Sequence, residues 1–175
     1  MTPEESLESN DLVSVIIINF NGGDYILDCV DSVFKTCNCD FEVILIDNNS
    51  TDNSSNLCKE KFDQIRLFQS DKNLGMAARN IGLDNVTGNF TVFLDADTVV
   101  ESDWLSILLN SCKQHGPGLY QGKLLKKDNP KIIESCGDMA NVFGTGFARG
   151  RGEEDIEKFE TFQKITFPVG ACTFG

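Results

Sequence analysis

Two carboxylates, Asp95 and Asp97, close the apolar, β-prone run Phe90-Thr91-Val92-Phe93-Leu94. In extended backbone alternate residues point to the same side, so a pair spaced i and i+2 is predicted to face one ligand together. Hard carboxylate oxygens at the mouth of a sheet suit a divalent cation that keeps its remaining positions for water and substrate phosphates. An isolated Asp-x-Asp is more often an acidic turn after a strand. The surroundings decide between the two.

Positioning such a pair requires a sheet, and the chain supplies one. Leu12 to Ile18 is a nearly continuous apolar run, as in a buried parallel strand. It breaks at Asn19-Phe20-Asn21-Gly22-Gly23, a turn-forming cluster. Tyr25, Ile26, Cys29, Val30, Val33 and Phe34 then recur on one helical face. Phe41 to Ile46 predicts a second strand, ending in Asp47-Asn48-Asn49-Ser50-Thr51-Asp52. Within that ending, Ser50 to Asp52 offer caps for a helix over Ser54 to Phe62. A third strand is expected at Ile65 to Phe68, a turn at Lys72-Asn73-Leu74-Gly75, and helices over Met76 to Asn85 and Ser102 to Gln114.

This alternation predicts an α/β fold with a mixed, mainly parallel central sheet flanked by helices. Ligands of such sheets bind at the carboxyl ends of the strands. Three ends carry polar clusters here: Asn19 to Asn21, Asp47 to Asp52, and Asp95 to Asp97. They are predicted to converge on one crevice.

The flanks are less patterned. Residues 1–11 read as a loose acidic tail and 12–175 as one domain, with a nucleotide-binding half over 12–115 and the start of a second, incomplete half over 116–175. Leu119 to Leu125 is expected to be a strand, Asn141 to Gly152 a mobile glycine-rich loop, and Glu153 to Glu157 a solvated, helix-like stretch. The apolar run Thr166 to Phe174 stops without a cap or turn, which predicts that the sequence continues.

A net charge of −12 over 175 residues argues against nucleic acid or an anionic membrane as partner. It also means that handling phosphorylated substrates would need cations. The seven cysteines are odd in number and scattered, and no secretory signal opens the chain, so they are read as reduced and structural. The single histidine, His115, is read as the polar end of a helix. No apolar run approaches a membrane span, and a cytoplasmic location, at most peripheral to a membrane, is expected.

Known phosphate loops do not account for the clusters. Gly-x-x-x-x-Gly-Lys-Ser/Thr is missing, and Gly-x-Gly-x-x-Gly does not follow the first strand. Asn19, Phe20 and Asn21 instead offer amides and an aromatic face for a base or ribose, and Asp47 or Asn48 could accept a hydrogen bond from a base edge or sugar hydroxyl. A receiver-type signalling domain also ends its strands in acids, but it would need a lysine closing a late strand, and Leu119 to Leu125 offers no convincing one.

In order and spacing, four segments resemble the family-2 inverting glycosyltransferases of the GT-A (Rossmann-like) fold, closest to the rhamnosyltransferase-like branch. They are Val13 to Asn21, Ile46 to Asp52, Asn73-Leu74-Gly75 through Ala78-Arg79-Asn80, and Gly88 through Leu94-Asp95-Ala96-Asp97 to Leu105. The resemblance implies a nucleotide-diphosphate sugar (UDP-, dTDP- or GDP-linked) as donor and a glycan or lipid-linked acceptor. It implies that Phe20 packs on the base and that Asp47 and Asn48 contact base and ribose. Asn73, Gly75 and Arg79 would lie near the nucleotide, with Asp95 and Ala96 by the ribose or diphosphate. Asp97, with Asp95 beside it, would ligate Mn2+ or Mg2+, and Gly170 and Ala171 would line the sugar and acceptor side. Asn48 stands where many relatives carry a second Asp. The family's catalytic base is a carboxylate downstream of the Gly-Ala segment, and no such motif follows Ala171, so the base is unassigned.

Overall fold

The computed structural model describes residues 11–143 and 145–175; apart from Asp11, the expected tail lies outside them. In chain order the elements are β1 (Val13–Asn19), α1 (Gly23–Val33), β2 (Phe41–Asp47), α2 (Ser54–Lys61) and β3 (Arg66–Gln69). A 3-10 turn (Gly75–Ala78) leads into α3 (Arg79–Leu83), β4 (Phe90–Asp95) and α4 (Trp104–His115). The second half holds β5 (Tyr120–Gln121), β6 (Leu124–Lys126), β7 (Asn129–Ser135), β8 (Asp138–Ala140), β9 (Gly146–Ala148), a 3-10 turn (Glu157–Phe159) and β10 (Cys172–Phe174).

Six strands form the central sheet in the order β3-β2-β1-β4-β10-β5. β3, β2, β1 and β4 run parallel, while β10 is antiparallel to both β4 and β5. The mixed, mainly parallel sheet is therefore as expected. Its apolar runs follow from covering both faces. Val13, Val15 and Ile17 of β1 join α1 and α4 in one core, whereas Ile16 packs with Ile44, Ile46 and Ala78 in the other. Register sets the strand ends level: Asn19 lies opposite Asp47, and Ile18 opposite Asp95.

Several local expectations change. Tyr25 leaves the apolar face of α1 and is 60% exposed. Asn53 occupies the cap position of α2 without a capping bond; the carboxylate just before it does the work, Asp52 Oδ1 accepting from Ser54 N (3.2 Å) and Ser54 Oγ (2.6 Å). The helix expected over Met76 to Asn85 is a 3-10 turn followed by five α-helical residues. Asparagines fix its entry, Leu74 N donating to Asn48 Oδ1 and Gly75 N to Asn73 Oδ1, both at 2.8 Å.

In the second half, Leu119 to Leu125 is two strands. Gln121 pairs with Thr173 of the main sheet and Leu124 with Ser135 of a separate hairpin. Between them Lys123 turns to Asp155 (2.7 Å) and Glu160 (2.8 Å). Much of the expected loop at Asn141 to Gly152 is a hairpin, β9 pairing with β8. Glu153 to Ile156 is not helical, Glu154 bridging to Ile132 and Asp155 N donating to Lys131 O (2.8 Å), and Glu157 opens the second 3-10 turn. His115 does end α4, and no helix among the described residues is long and apolar enough to cross a membrane.

Candidate active site

A cleft of about 500 Å³ opens at the carboxyl ends of the parallel strands. It is lined by Phe20, Gly22 and Tyr25 after β1, Asn48 after β2, Asn73, Gly75, Met76 and Arg79 after β3, and Asp95, Ala96 and Asp97 at the end of β4, over a floor of Ile16, Ile18 and Leu94. Level strand ends thus bring together most of the expected residues. Asn19, Asn21 and Asp47 do not line it.

Those three side chains build the loops instead. Asn19 is fully buried. Its Nδ2 donates to Ser54 Oγ (2.8 Å) and Ser55 Oγ (2.7 Å), and its Oδ1 accepts from Gly22 N (3.0 Å). That last bond leaves no room beyond a hydrogen on Gly22, since a Cβ there would sit 2.3 Å from Asn19 Oδ1. Asn21 adopts φ +54°, which asparagine tolerates, and its Oδ1 accepts from Thr51 N (2.7 Å) and Thr51 Oγ1 (3.1 Å). Asp47 Oδ1 accepts from Ser50 N (3.0 Å), closing its own turn. Two loops locked in this way hold Phe20 between them, 49% exposed and at the cleft.

Asn48 borders the cleft with both ends of its amide engaged. Nδ2 donates to Asn73 Oδ1 (2.9 Å), and Oδ1 accepts the Leu74 N–H. A side chain engaged on both ends shapes the wall of the cleft. Tyr25 and Met76 line the cleft but were not among the expected residues. The helical spacing of Tyr25 predicts a place on the core face. Met76 carries a signal, an apolar residue directly after the turn Lys72-Asn73-Leu74-Gly75, but its position reads as the first residue of a helix.

The carboxylates meet by a different route from the one their spacing suggests. β4 ends at Asp95, and Thr98 N donates to Asp95 O (3.1 Å), a turn over Asp95 to Thr98. Strand alternation therefore does not apply to Asp97; the turn brings both acids to one cleft. The second half closes on Asp95 from β10: Asp95 N donates to Ala171 O (2.9 Å), while Arg79 Nη2 donates to Gly170 O (2.8 Å) and pairs with Asp95 Oδ1 (3.3 Å). The Arg79 guanidinium also stacks 4.8 Å from the Phe93 ring centroid. Gly170 and Ala171 thus sit beside the acids, outside the cleft lining.

With this geometry the protein can be compared with known ones. Residues 14–175 match the model of glycosyl transferase family 2. The chain belongs to that family. The glycosyltransferase GlyA of Streptococcus pneumoniae is 34% identical over 183 aligned positions, covering 92% of this chain and 26% of GlyA. TarS of S. aureus superimposes with a TM-score of 0.62 at 22% identity, covering 74% of this chain and 41% of that one; TarS has also been solved with UDP-GlcNAc. A mannosyltransferase of Pyrobaculum calidifontis, in complex with GDP-Man and Mn2+, gives 0.59 at 18% identity, covering 93% of this chain and 43% of that one. The fold is GT-A, and the chain spans well under half the length of each of these proteins.

In this family-2 glycosyltransferase domain the electrostatics centre on Asp95. Burial raises its carboxyl above the ordinary range; Arg79 opposes the shift and Asp97 adds to it. Behind it, Cys29 Sγ donates to Asp95 O (3.6 Å). Its thiol is pushed far up, chiefly by burial and further by Cys58, Asp97 and Asp95, so it stays protonated and is no nucleophile. Asp97 has no ion pair among the described residues. No group of three His, Cys, Asp or Glu that could cage a metal exists among them either. Two acids beside an open cleft fit a cation such as Mn2+ or Mg2+, held by one or two carboxylates with the rest of its shell left to water and phosphate oxygens.

Proposed function

We propose that the cleft binds a nucleotide-diphosphate sugar and that the domain takes part in inverting transfer of that sugar to an acceptor hydroxyl. The observation that carries this reading is one open cleft joining an exposed aromatic, Phe20, to Asp97 across the level ends of four parallel strands. Phe20 stacks the base, Asn48 and Asn73 shape the wall, and Asp97, with Asp95 beside it, holds Mn2+ or Mg2+. When bound, that cation neutralises charge on the departing diphosphate. Arg79 keeps Asp95 and the Gly170–Ala171 segment in register, so the acceptor side abuts the acids. The donor is UDP-, dTDP- or GDP-linked, the acceptor is a glycan or a lipid-linked molecule, the branch is rhamnosyltransferase-like, and the setting is cytoplasmic, at most peripheral to a membrane.

Inversion needs a carboxylate to take the acceptor proton on the face opposite the leaving group. Among the described residues the acids lining the cleft are Asp95 and Asp97, both assigned to the cation side. The acidic run is occupied elsewhere, Asp155 by Lys123 and Glu153 by Lys158. That observation favours a second reading, in which these 175 residues bind the nucleotide sugar without turning it over.

Calorimetric titration with UDP, GDP and dTDP, with and without Mn2+, tests the binding. Micromolar, Mn2+-dependent affinity for one of them is expected, and no binding to any would overturn both readings. Following loss of the matching sugar nucleotide in the presence of an acceptor then separates transfer from binding alone.

A further inference from the structure

The second half meets a residue of the cleft lining at one further point. Lys127 lies in the turn between β6 and β7, and its Nζ sits 4.9 Å from the ring centroid of Tyr25, a residue of the cleft lining. The same ammonium pairs with Asp28 Oδ2 at 3.5 Å. Tyr25 and Asp28, three residues apart, share one face of α1, so a single lysine spans both.

We propose that Lys127 is a substrate-binding residue that meets the diphosphate of the nucleotide at the lip of the cleft, steadied there by the Tyr25 ring. This rests on the reading that the cleft takes a nucleoside diphosphate. The charge balance calls for a further cation. A diphosphate brings concentrated negative charge into a chain of net charge −12, against a wall that already holds Asp95 and Asp97. Arg79, which also lines the cleft, is committed to Asp95 and to the Gly170 carbonyl.

Lys127 is loosely held by comparison. Its side chain is 55% exposed and that of Asp28 62%, at a long separation. An ion pair of that kind is screened by solvent and contributes little, so the ammonium can turn to a phosphate without leaving a buried charge behind. Tyr25 fits the same role. The apolar residues of the buried face of α1, Ile26, Cys29, Val30 and Val33, form the core without it, and its ring contributes little there. What it supplies is a platform for the cation.

Lys127→Ala, Lys127→Arg and the unaltered protein would each be titrated with UDP and uridine, and in parallel with GDP and guanosine and with dTDP and thymidine, in Mn2+. The expected result is that Lys127→Ala weakens the diphosphate about five- to tenfold and leaves the nucleoside unchanged, with Lys127→Arg restoring most of the loss. Equal weakening of diphosphate and nucleoside would make Lys127 a mere fastener of the hairpin and overturn the proposal. So would diphosphate binding by Lys127→Ala that matches the unaltered protein. If the unaltered protein binds none of the three diphosphates, the reading of the cleft falls and this proposal falls with it.

Discussion

The two halves of the domain are held together by different physics. In 12–115, parallel strands bury continuous apolar runs on both faces, and the chemistry hangs on their level ends. In 116–175 the buried apolar side chains reduce to Tyr120, Ile133, Phe159, Cys172 and Phe174. Short antiparallel strands are tied there by ion pairs such as Lys123 to Asp155 and Glu160, and Arg151 to Glu134. Val142 and Phe143 stand almost fully exposed at the β8–β9 turn. The lesson is a division of labour: a rigid half sets the geometry of the cleft, and a thinner half meets the residues that line it at a few points, Gly170 at Arg79, Ala171 at Asp95 and Lys127 at Tyr25.

The largest effect should come from the rigid half. Leu45 is fully buried in β2, and Leu45→Ala should cost about 2–5 kcal/mol in denaturant unfolding. Hydrogen exchange sharpens the contrast: amides of β1, β2 and β4 should open only with global unfolding, those of β6 to β9 at markedly lower free energy. Equal protection in both halves would erase the distinction. Next is Asp97→Asn, expected to weaken Mn2+-dependent nucleotide binding on the order of a hundredfold without lowering the melting temperature, because Asp97 is exposed and its charge works against Asp95. Unchanged affinity would remove Asp97 from the cation site.

The same division explains what could be read from the residues alone. The strands of the first half announce themselves because two-sided burial demands uninterrupted apolar runs, and their polar ends mark the cleft. Individual roles were harder. Nothing in Asn19-Phe20-Asn21 says that the two amides lock loops while the ring faces the cleft; that depends on Ser54, Ser55 and Thr51, thirty or more residues away. Strand alternation reached the right conclusion for Asp95 and Asp97 by the wrong geometry, since a turn between them replaces the strand. In the second half, pairing is between strands of three residues such as Asp138–Ala140 and Gly146–Ala148, too short to carry a periodic pattern that separates them from loop.

A third test concerns the end of the sheet away from the cleft. Burial alone would raise the Glu42 carboxyl, but hydrogen bonds from Ser14 Oγ, Thr87 N, Arg66 Nη1 and Thr87 Oγ1 outweigh it and bring it from 4.5 down to about 2. A depressed carboxyl stabilises the fold in its ionised form. Its contribution is complete above about pH 4.5 and disappears as pH falls toward about 2. Glu42→Gln should therefore cost about 1–3 kcal/mol at pH 7 and progressively less below pH 4.5, where the two unfolding curves should approach each other. A cost independent of pH would assign Glu42 a packing role only.

The smallest effect probes the seam between the halves. A Cβ on Gly170 would lie 3.3 Å from both Nη1 and Nη2 of Arg79, closer than carbon comfortably approaches a guanidinium nitrogen. Arg79 can yield by a few tenths of an ångström only by lengthening its bond to Gly170 O or its pairing with Asp95, since Phe93 stacks against its guanidinium. Gly170→Ala should therefore lower stability by about 1 kcal/mol, or roughly 2–4 °C in melting temperature for a chain of this size, and weaken nucleotide binding no more than about threefold, or ~0.6 kcal/mol. If instead the variant is more stable, the seam has slack, and contact between the halves at Asp95 is a loose apposition that the Arg79 bridge does not set. If affinity falls as far as in Asp97→Asn, the second half shapes the donor site as strongly as the first, and the division of labour drawn above does not hold.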